Sequence, residues 1–268
     1  MLRFYRKKLD FVIFTFFASM SVFVICIAIL AVYFINGALS ERKAEKLNTL
    51  ADEVVEETEK ENTVDRYRNL RDEYPDLVGF VTYNYYNKKM KLPLMQTDDN
   101  KYYLYRDVKG KSSQRGTAFI DYRCDVKNSL LLVLYAHNMN DLSQFGALKE
   151  YRKESYWKKH PYIYFETQYE EKAAYEVVAS FYSEIFPDGK EDVFRYYSYF
   201  DLPNQAQYGY YMYNIKKMAL YPTGIHPKFG EKLILLSTCD KTHHKEEGRF
   251  AVLARKADST NLLNNNDK

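Results

Sequence analysis

Leu233-Ile234-Leu235-Leu236-Ser237-Thr238-Cys239 is the stretch whose reading decides the fold. Four consecutive large apolar residues followed by small polar ones read as a buried strand that delivers a thiol to its C-terminal end. Ten residues on, Arg249 opens a second apolar run, Phe250-Ala251-Val252-Leu253-Ala254. Far upstream, Leu130-Leu131-Leu132-Val133-Leu134-Tyr135 leads into Ala136-His137-Asn138. Three strands therefore carry a thiol, an imidazole and a guanidinium at their ends, where a rigid scaffold meets solvent. That combination reads as an active site.

Outward from these runs, the chain after Asp76 alternates short apolar segments with turn residues. Strands are expected at 77–83, 91–96, 117–121, 130–136, 161–167, 173–182, 233–238 and 249–255, with helical insertions at 100–105, 142–158 and 204–219. Many short strands and few long helices favour a closed or nearly closed β-barrel over a parallel α/β sheet. The 27 tyrosines suit such a barrel, because large amphipathic rings cover surface while fitting strand geometry. Residues 257–268 read as a frayed polar tail.

The N-terminus is a separate element. Residues 11–35 contain no charged side chain, and at helical rise such a segment spans about 37 Å, enough to cross a ~30 Å hydrocarbon core with tilt. Arg3, Arg6, Lys7 and Lys8 precede it, so residues 1–10 read as a cytoplasmic flank and the rest of the chain as external. The alternative is a cleavable signal peptide. The run is long for one, and Asn36-Gly37-Ala38-Leu39 makes a poor cleavage site. Residues 36–73 follow, dense in Glu, Lys, Arg and Asp. Leu47, Leu50, Val54, Val64, Tyr67 and Leu70 fall near helical spacing, which gives a juxtamembrane helix or helix pair; a solvated charged spacer over 40–62 is the other reading. Tyr74-Pro75 ends it, leaving 74–256 as the main domain.

Charge and cysteine usage narrow the function. The net charge of +3 is carried entirely by residues 1–10, so the remainder balances to zero and lacks the electrostatic footprint of a nucleic-acid binder. Of three cysteines, Cys26 lies in the apolar span, leaving Cys124 and Cys239. Two cysteines do not make a disulfide scaffold. A single bridge between them remains open, although it would consume the thiol at the strand end.

A thiol near a base is the basic kit for acyl transfer. The thiolate is the nucleophile, and an imidazole can take its proton or form an ion pair with it. Attack on an amide creates an oxyanion, for which the permanently charged, planar Arg249 guanidinium is a suitable donor. No Asn or Asp is plainly placed to orient His137, so a dyad assisted by arginine is expected. Two alternatives stand beside this. Cys239, His243 and His244, with Cys124 or His137 as a fourth ligand, could hold zinc. The barrel could also bind peptide or cell-wall polymer without catalysis.

The segments Tyr135-Ala136-His137-Asn138-Met139, Leu236-Ser237-Thr238-Cys239 and Glu247-Gly248-Arg249-Phe250 resemble the three signature motifs of sortases, the cell-wall transpeptidases of Gram-positive bacteria. The nearer likeness is to class B. It is carried by Tyr74-Pro75-Asp76-Leu77-Val78-Gly79-Phe80, Asp99-Asn100-Lys101-Tyr102-Tyr103-Leu104, Gly116-Thr117-Ala118-Phe119-Ile120-Asp121-Tyr122-Arg123, Phe145-Gly146-Ala147-Leu148-Lys149, His160-Pro161-Tyr162-Ile163-Tyr164 and Tyr221-Pro222-Thr223-Gly224. The resemblance covers about residues 70–256 and implies a mostly β fold with helical insertions, an eight-stranded sortase-type barrel preceded by N-terminal helices and one transmembrane helix.

It also implies a reaction. Cys239 would attack the Thr carbonyl of a C-terminal sorting signal of Asn-Pro-x-Thr type to give a thioester. His137 would act as acid and base, and Arg249 would stabilise the oxyanion. The acceptor would be an amine of a peptidoglycan precursor or, in pilus-building members, a pilin lysine. Neither cofactor nor metal is implied, because the thioester conserves the bond energy. Asn100, Leu104, Ser237, Tyr196 and Tyr197 match substrate-groove positions, with aromatic cover on a barrel wall as the other reading of the two tyrosines. Departures from the family pattern at Thr82–Lys91, Cys124 and the aromatic segment 186–200 bear on signal preference.

Overall fold

A computed structural model describes residues 2–57, 67, 70–85, 88–240 and 247–258. The chain divides into two compact units, Met1–Arg42 and Lys43–Lys268. One long helix, α1 (Leu2–Glu57), contains the stretch Ile13–Lys46, whose apolar window has a mean hydropathy of 2.6 and is long enough to cross a membrane. Phe14, Phe17, Phe23, Ile29 and Phe34 are all exposed on it, so the first unit is apolar around its circumference rather than along one stripe.

The larger unit holds eight strands: β1 (Leu77–Tyr85), β2 (Lys88–Met95), β3 (Phe119–Ile120), β4 (Leu131–Tyr135), β5 (Tyr162–Thr167), β6 (Glu170–Glu184), β7 (Leu233–Cys239) and β8 (Gly248–Lys256). They close into a barrel in the order β1-β2-β3-β4-β7-β8-β6-β5. Closure leaves no unpaired strand edge among the eight. Neighbours are antiparallel except β2–β3 and β4–β7, which run parallel. The parallel pair β4–β7 puts the C-terminal ends of both strands on one rim of the barrel. The antiparallel partner β8 brings its N-terminal end to the same rim.

The core is a continuous apolar cluster that includes Val81, Leu94, Val133, Leu235, Phe181 and Val252, all with no exposed surface. Each such side chain stabilises the fold by about 1.5–3 kcal/mol relative to exposure. A second cluster caps the barrel beside β1. There Tyr67, Leu70 and Tyr74 pack with Leu77, Phe80 and Tyr103, and residues 70–73 are helical. The β1–β5 seam depends on Gly79, where an added Cβ would lie 2.3 Å from the Glu166 carbonyl oxygen.

Every expected strand is present, with shifted limits. β2 starts at Lys88, because pairing with β1 carries Lys88 and Lys89 into the ladder despite their charge. β6 extends to Glu184 because β8 pairs with it along its whole length. β3 is reduced to two residues. The helix expected over 142–158 is instead a 3₁₀ turn at Gly146–Arg152 and a separate short helix, α2 (Glu154–Lys159). Extended backbone at Lys153 divides them, with φ −101° and ψ 122°. The third helix, α3 (Gln205–Met218), starts at an Asn204 cap whose side chain accepts from the Gln207 backbone N–H.

Candidate active site

Cys239 is the last residue of β7, half-buried, and the β7–β8 ladder sets it directly opposite Arg249. Directly opposed residues of an antiparallel pair project to the same face, with Cβ atoms about 4.5–5.5 Å apart. The ladder continues past the thiol, since the Asp240 backbone N–H donates to the Gly248 carbonyl at 2.8 Å. On the other flank, the parallel β4–β7 register pairs Tyr135 with Ser237. Two bonds carry it further: Ala136 N–H to the Ser237 carbonyl at 3.4 Å, and the Thr238 hydroxyl to the Ala136 carbonyl at 2.8 Å. His137 comes two residues after Tyr135, just beyond the end of β4. Asn138 then closes the flank, its side-chain amide donating to the Cys239 carbonyl at 2.8 Å. Cys239 and Arg249 thus face each other across β7 and β8, and His137 follows just past the end of β4, the strand that adjoins β7 on the other side.

The His137 ring has a definite partner. Its Nε2 lies 2.7 Å from the Leu104 carbonyl oxygen. A carbonyl can only accept, so Nε2 carries the proton and Nδ1 is the basic nitrogen of the neutral ring. The Tyr105 ring lies 5.8 Å from the imidazole, at a tilt of 50°. The orienting group that the sequence did not reveal is therefore a main-chain oxygen. The Arg249 guanidinium folds back through Nη1 onto the Gly248 carbonyl at 2.8 Å.

The remaining sequence-derived positions divide into two sets. Leu104 and Asn100 are half-buried on the segment that faces His137 and Asp121. Asn100 uses its amide to donate to Asp121 at 2.9 Å and to accept from the Tyr122 backbone N–H at 3.0 Å. Tyr197 is also half-buried, its hydroxyl accepting from the Phe186 N–H at 2.9 Å. Ser237 and Tyr196, expected to face the groove, do not. They are 1% and 0% exposed, and they hydrogen-bond each other at 2.8 Å beneath the site. Burial holds the Tyr196 hydroxyl well above the ordinary phenol range, so the pair is a neutral support rather than a ligand contact.

Asp121 was not anticipated. It sits with no exposed surface just beyond β3 and gathers Arg123 through two side-chain bonds at 2.9 and 2.7 Å, Asn100, and the Tyr135 hydroxyl at 3.2 Å. Tyr135 is two residues before His137, so this hub anchors the strand that delivers the imidazole. Burial alone would raise the Asp121 carboxyl, but the side-chain and backbone hydrogen bonds from Arg123 and that from Asn100 outweigh it and hold it below the usual carboxylate range. A depressed folded-state value means its contribution is full above the unfolded carboxylate pKa of about 4 and is lost as pH falls through the folded value. Thermal melting from about pH 6 to about pH 2 is expected to show a steeper acid fall in the wild type than in Asp121→Asn. Parallel acid limbs would show that Asp121 carries none of it.

All three cysteines are free thiols, so no Cys124–Cys239 bridge forms. Burial pushes the Cys124 thiol up to about 12, and its Sγ faces the Leu131 carbonyl at 3.7 Å. It is an inert core group. The zinc alternative depends on His243 and His244, which lie outside the described residues; among the described residues, no group of three or more His, Cys, Asp or Glu gathers to hold a metal. A cavity of about 720 Å³ lies between α3 and residues 219–227, and its lining includes none of the three site residues.

The family model described as Sortase domain matches residues 90–257. Sortase B of Listeria monocytogenes is 29% identical over 196 residues, which cover 70% of this chain and 72% of that protein. A Staphylococcus aureus sortase B–substrate complex superposes with a TM-score of 0.72 at 21% identity, covering 84% of this chain and 99% of that one. Sortase B from Bacillus anthracis in complex with AAEK1 gives a TM-score of 0.67 at 26% identity, covering 84% and 99%. The chain belongs to the sortase family. Within it the likeness is to class B throughout, and the protein is a class B cysteine transpeptidase.

Proposed function

We propose that the protein cleaves a C-terminal sorting signal of Asn-Pro-x-Thr type after Thr and joins the new carboxyl end to an amine of a cell-wall precursor. The observation that carries this reading is the rung between Cys239 and Arg249, with His137 just past the end of β4, the strand that pairs with β7. His137 Nδ1 takes the proton of the Cys239 thiol, and the resulting thiolate attacks the Thr carbonyl carbon. Negative charge developing on its oxygen is met by the Arg249 guanidinium, whose planar donors need no reorganisation at that moment. Collapse breaks the peptide bond, His137 protonates the departing amine from Nδ1, and a thioester remains. The acceptor amine attacks that thioester, His137 takes its proton, and the thiolate leaves. Asn100, Leu104 and Tyr197 border the path of the signal.

Residues 11–35 of α1 anchor the protein in the membrane, with the basic residues 1–10 on the cytoplasmic side. Residues 36–73 space the catalytic unit, 74–256, from the outer face. The exposed phenylalanines around α1 support this placement. The test uses full-length protein in detergent micelles, a panel of Asn-Pro-x-Thr peptides, and hydroxylamine as the acceptor. A peptide hydroxamate cut after Thr, together with an acyl adduct on Cys239 by mass spectrometry, is the expected result. Binding of peptide without either product would overturn the reading in favour of a non-catalytic barrel.

A further inference from the structure

Gly116 lies outside the three strands that carry the site, yet it touches the bond that fixes the imidazole. Its φ is +59°, and a Cβ there would lie 2.5 Å from the Leu104 carbonyl oxygen and 2.7 Å from that of Tyr103. The Leu104 oxygen is the one that accepts from His137 Nε2 at 2.7 Å. Neither side of this contact is free to move away. The segment around Gly116 is stitched across the 3₁₀ turn Tyr102–Tyr105 by Thr117 N–H to the Tyr103 carbonyl at 2.9 Å and Ser113 N–H to the Tyr105 carbonyl at 2.8 Å. The turn is held at its start by Asp99, whose Oδ1 accepts from the backbone N–H groups of Lys101 and Tyr102 at 2.6 and 2.7 Å.

We propose that Gly116 is a positioning residue for the transpeptidation. Lacking a side chain, it lets the Leu104 carbonyl reach His137 Nε2, and that bond keeps the neutral ring protonated at Nε2 and basic at Nδ1. The proposal rests on the acid–base reading of His137 given above. Which ring nitrogen is basic is set by what the other one is bonded to, so a shifted carbonyl changes the tautomer as well as the ring's position. The oxygen and a Cβ cannot both occupy the space, and the oxygen is the one to give way.

The experiment follows the imidazole directly. Full-length protein in micelles, labelled with ¹⁵N-histidine, gives the His137 tautomer from its ring nitrogen shifts, assigned by the resonance lost in His137→Asn. In the wild type the Nε2–H form is expected. In Gly116→Ala the resonance moves toward a mixed tautomer, kcat falls by about ten- to a hundredfold with KM changed by less than about twofold, and the limb of the pH–rate profile that reports His137 shifts. The control is Gly230→Ala, where φ is +95° and nothing lies within 4 Å of an added Cβ. It carries a comparable backbone penalty without the contact and is expected to leave both tautomer and kcat unchanged.

Asp99→Ala loosens the same turn from an exposed position and is expected to move the resonance in the same direction by less. It decides the matter if Gly116→Ala shows no folding transition. An unmoved His137 resonance in the folded variant, an equal movement in Gly230→Ala, or a moved resonance with unchanged kcat would overturn the positioning role. Retained turnover in His137→Ala would instead overturn the acid–base reading on which it rests.

Discussion

Cys239→Ala is expected to yield neither acyl-enzyme nor transfer product, a loss on the order of 10⁴-fold or more in turnover of peptide and amine. The size follows from what is removed. Without the sulfur no thioester can form, and only binding and the Arg249 donors remain to assist attack by water. Folding should be almost untouched. Cys239 ends β7, is half-buried, and engages its neighbours through the main chain, by the Asn138 amide on one flank and the Arg249 rung on the other. Its truncation is expected to change stability by less than about 1 kcal/mol, read as an unchanged melting temperature within a few degrees. Chromatography and mass spectrometry of the peptide–amine reaction make the check. Turnover above about one per cent of wild type would remove Cys239 from the role of nucleophile.

Arg249→Lys is expected to lower kcat by about 10²–10³-fold while leaving the barrel intact. Positive charge is kept, so a simple field effect on the thiol would survive the change. What is lost is the planar fork, which holds the Gly248 carbonyl and, in the proposed mechanism, donates to the oxyanion at the same time. A lysine ammonium on a longer flexible stem must choose between them. Single-turnover kinetics place the loss: a slowed acylation step is expected, with peptide binding changed little. A variant within about threefold of wild type would mean that backbone donors hold the oxyanion and that Arg249 serves only to bind.

The strands β4, β7 and β8 were legible in the sequence because each is an unbroken apolar run ending in a polar residue of unusual chemistry. Their lateral order was not. Nothing in spacing says that β4 lies parallel beside β7, and that pairing is what puts the strand ends leading to His137 and Cys239, 102 positions apart in the chain, on one rim. The 3₁₀ turn and α2 merged into one expected helix because Lys153 is a good helix former, so nothing in its residue type marks the extended backbone that caps one element and starts the next. Ser237 and Tyr196 were expected on a groove; period-two alternation does put Ser237 on the face of Cys239, but Tyr196 packs onto it and buries both, which spacing along the chain could not show.

Asp121 carried a signal that went unused, a carboxylate followed two residues later by an arginine, directly after a short apolar run. The partner of His137 had no signal to find. A backbone carbonyl belongs to every residue alike, and only the fold selects the one at Leu104. The same holds for Gly116, where the residue type hints at close approach without saying to what.

The opposed placement of Cys239 and Arg249 has a bearing on how such an enzyme can diversify. Both residues are fastened to the barrel wall by their own rung, and the ladder runs one step further, from the Asp240 N–H to the Gly248 carbonyl. Changes outside the β7–β8 ladder can reshape what an incoming polypeptide meets while the pair stays opposed. Laboratory selection for new signal preference can therefore begin with libraries at Asn100, Leu104 and Tyr197 that leave this ladder untouched.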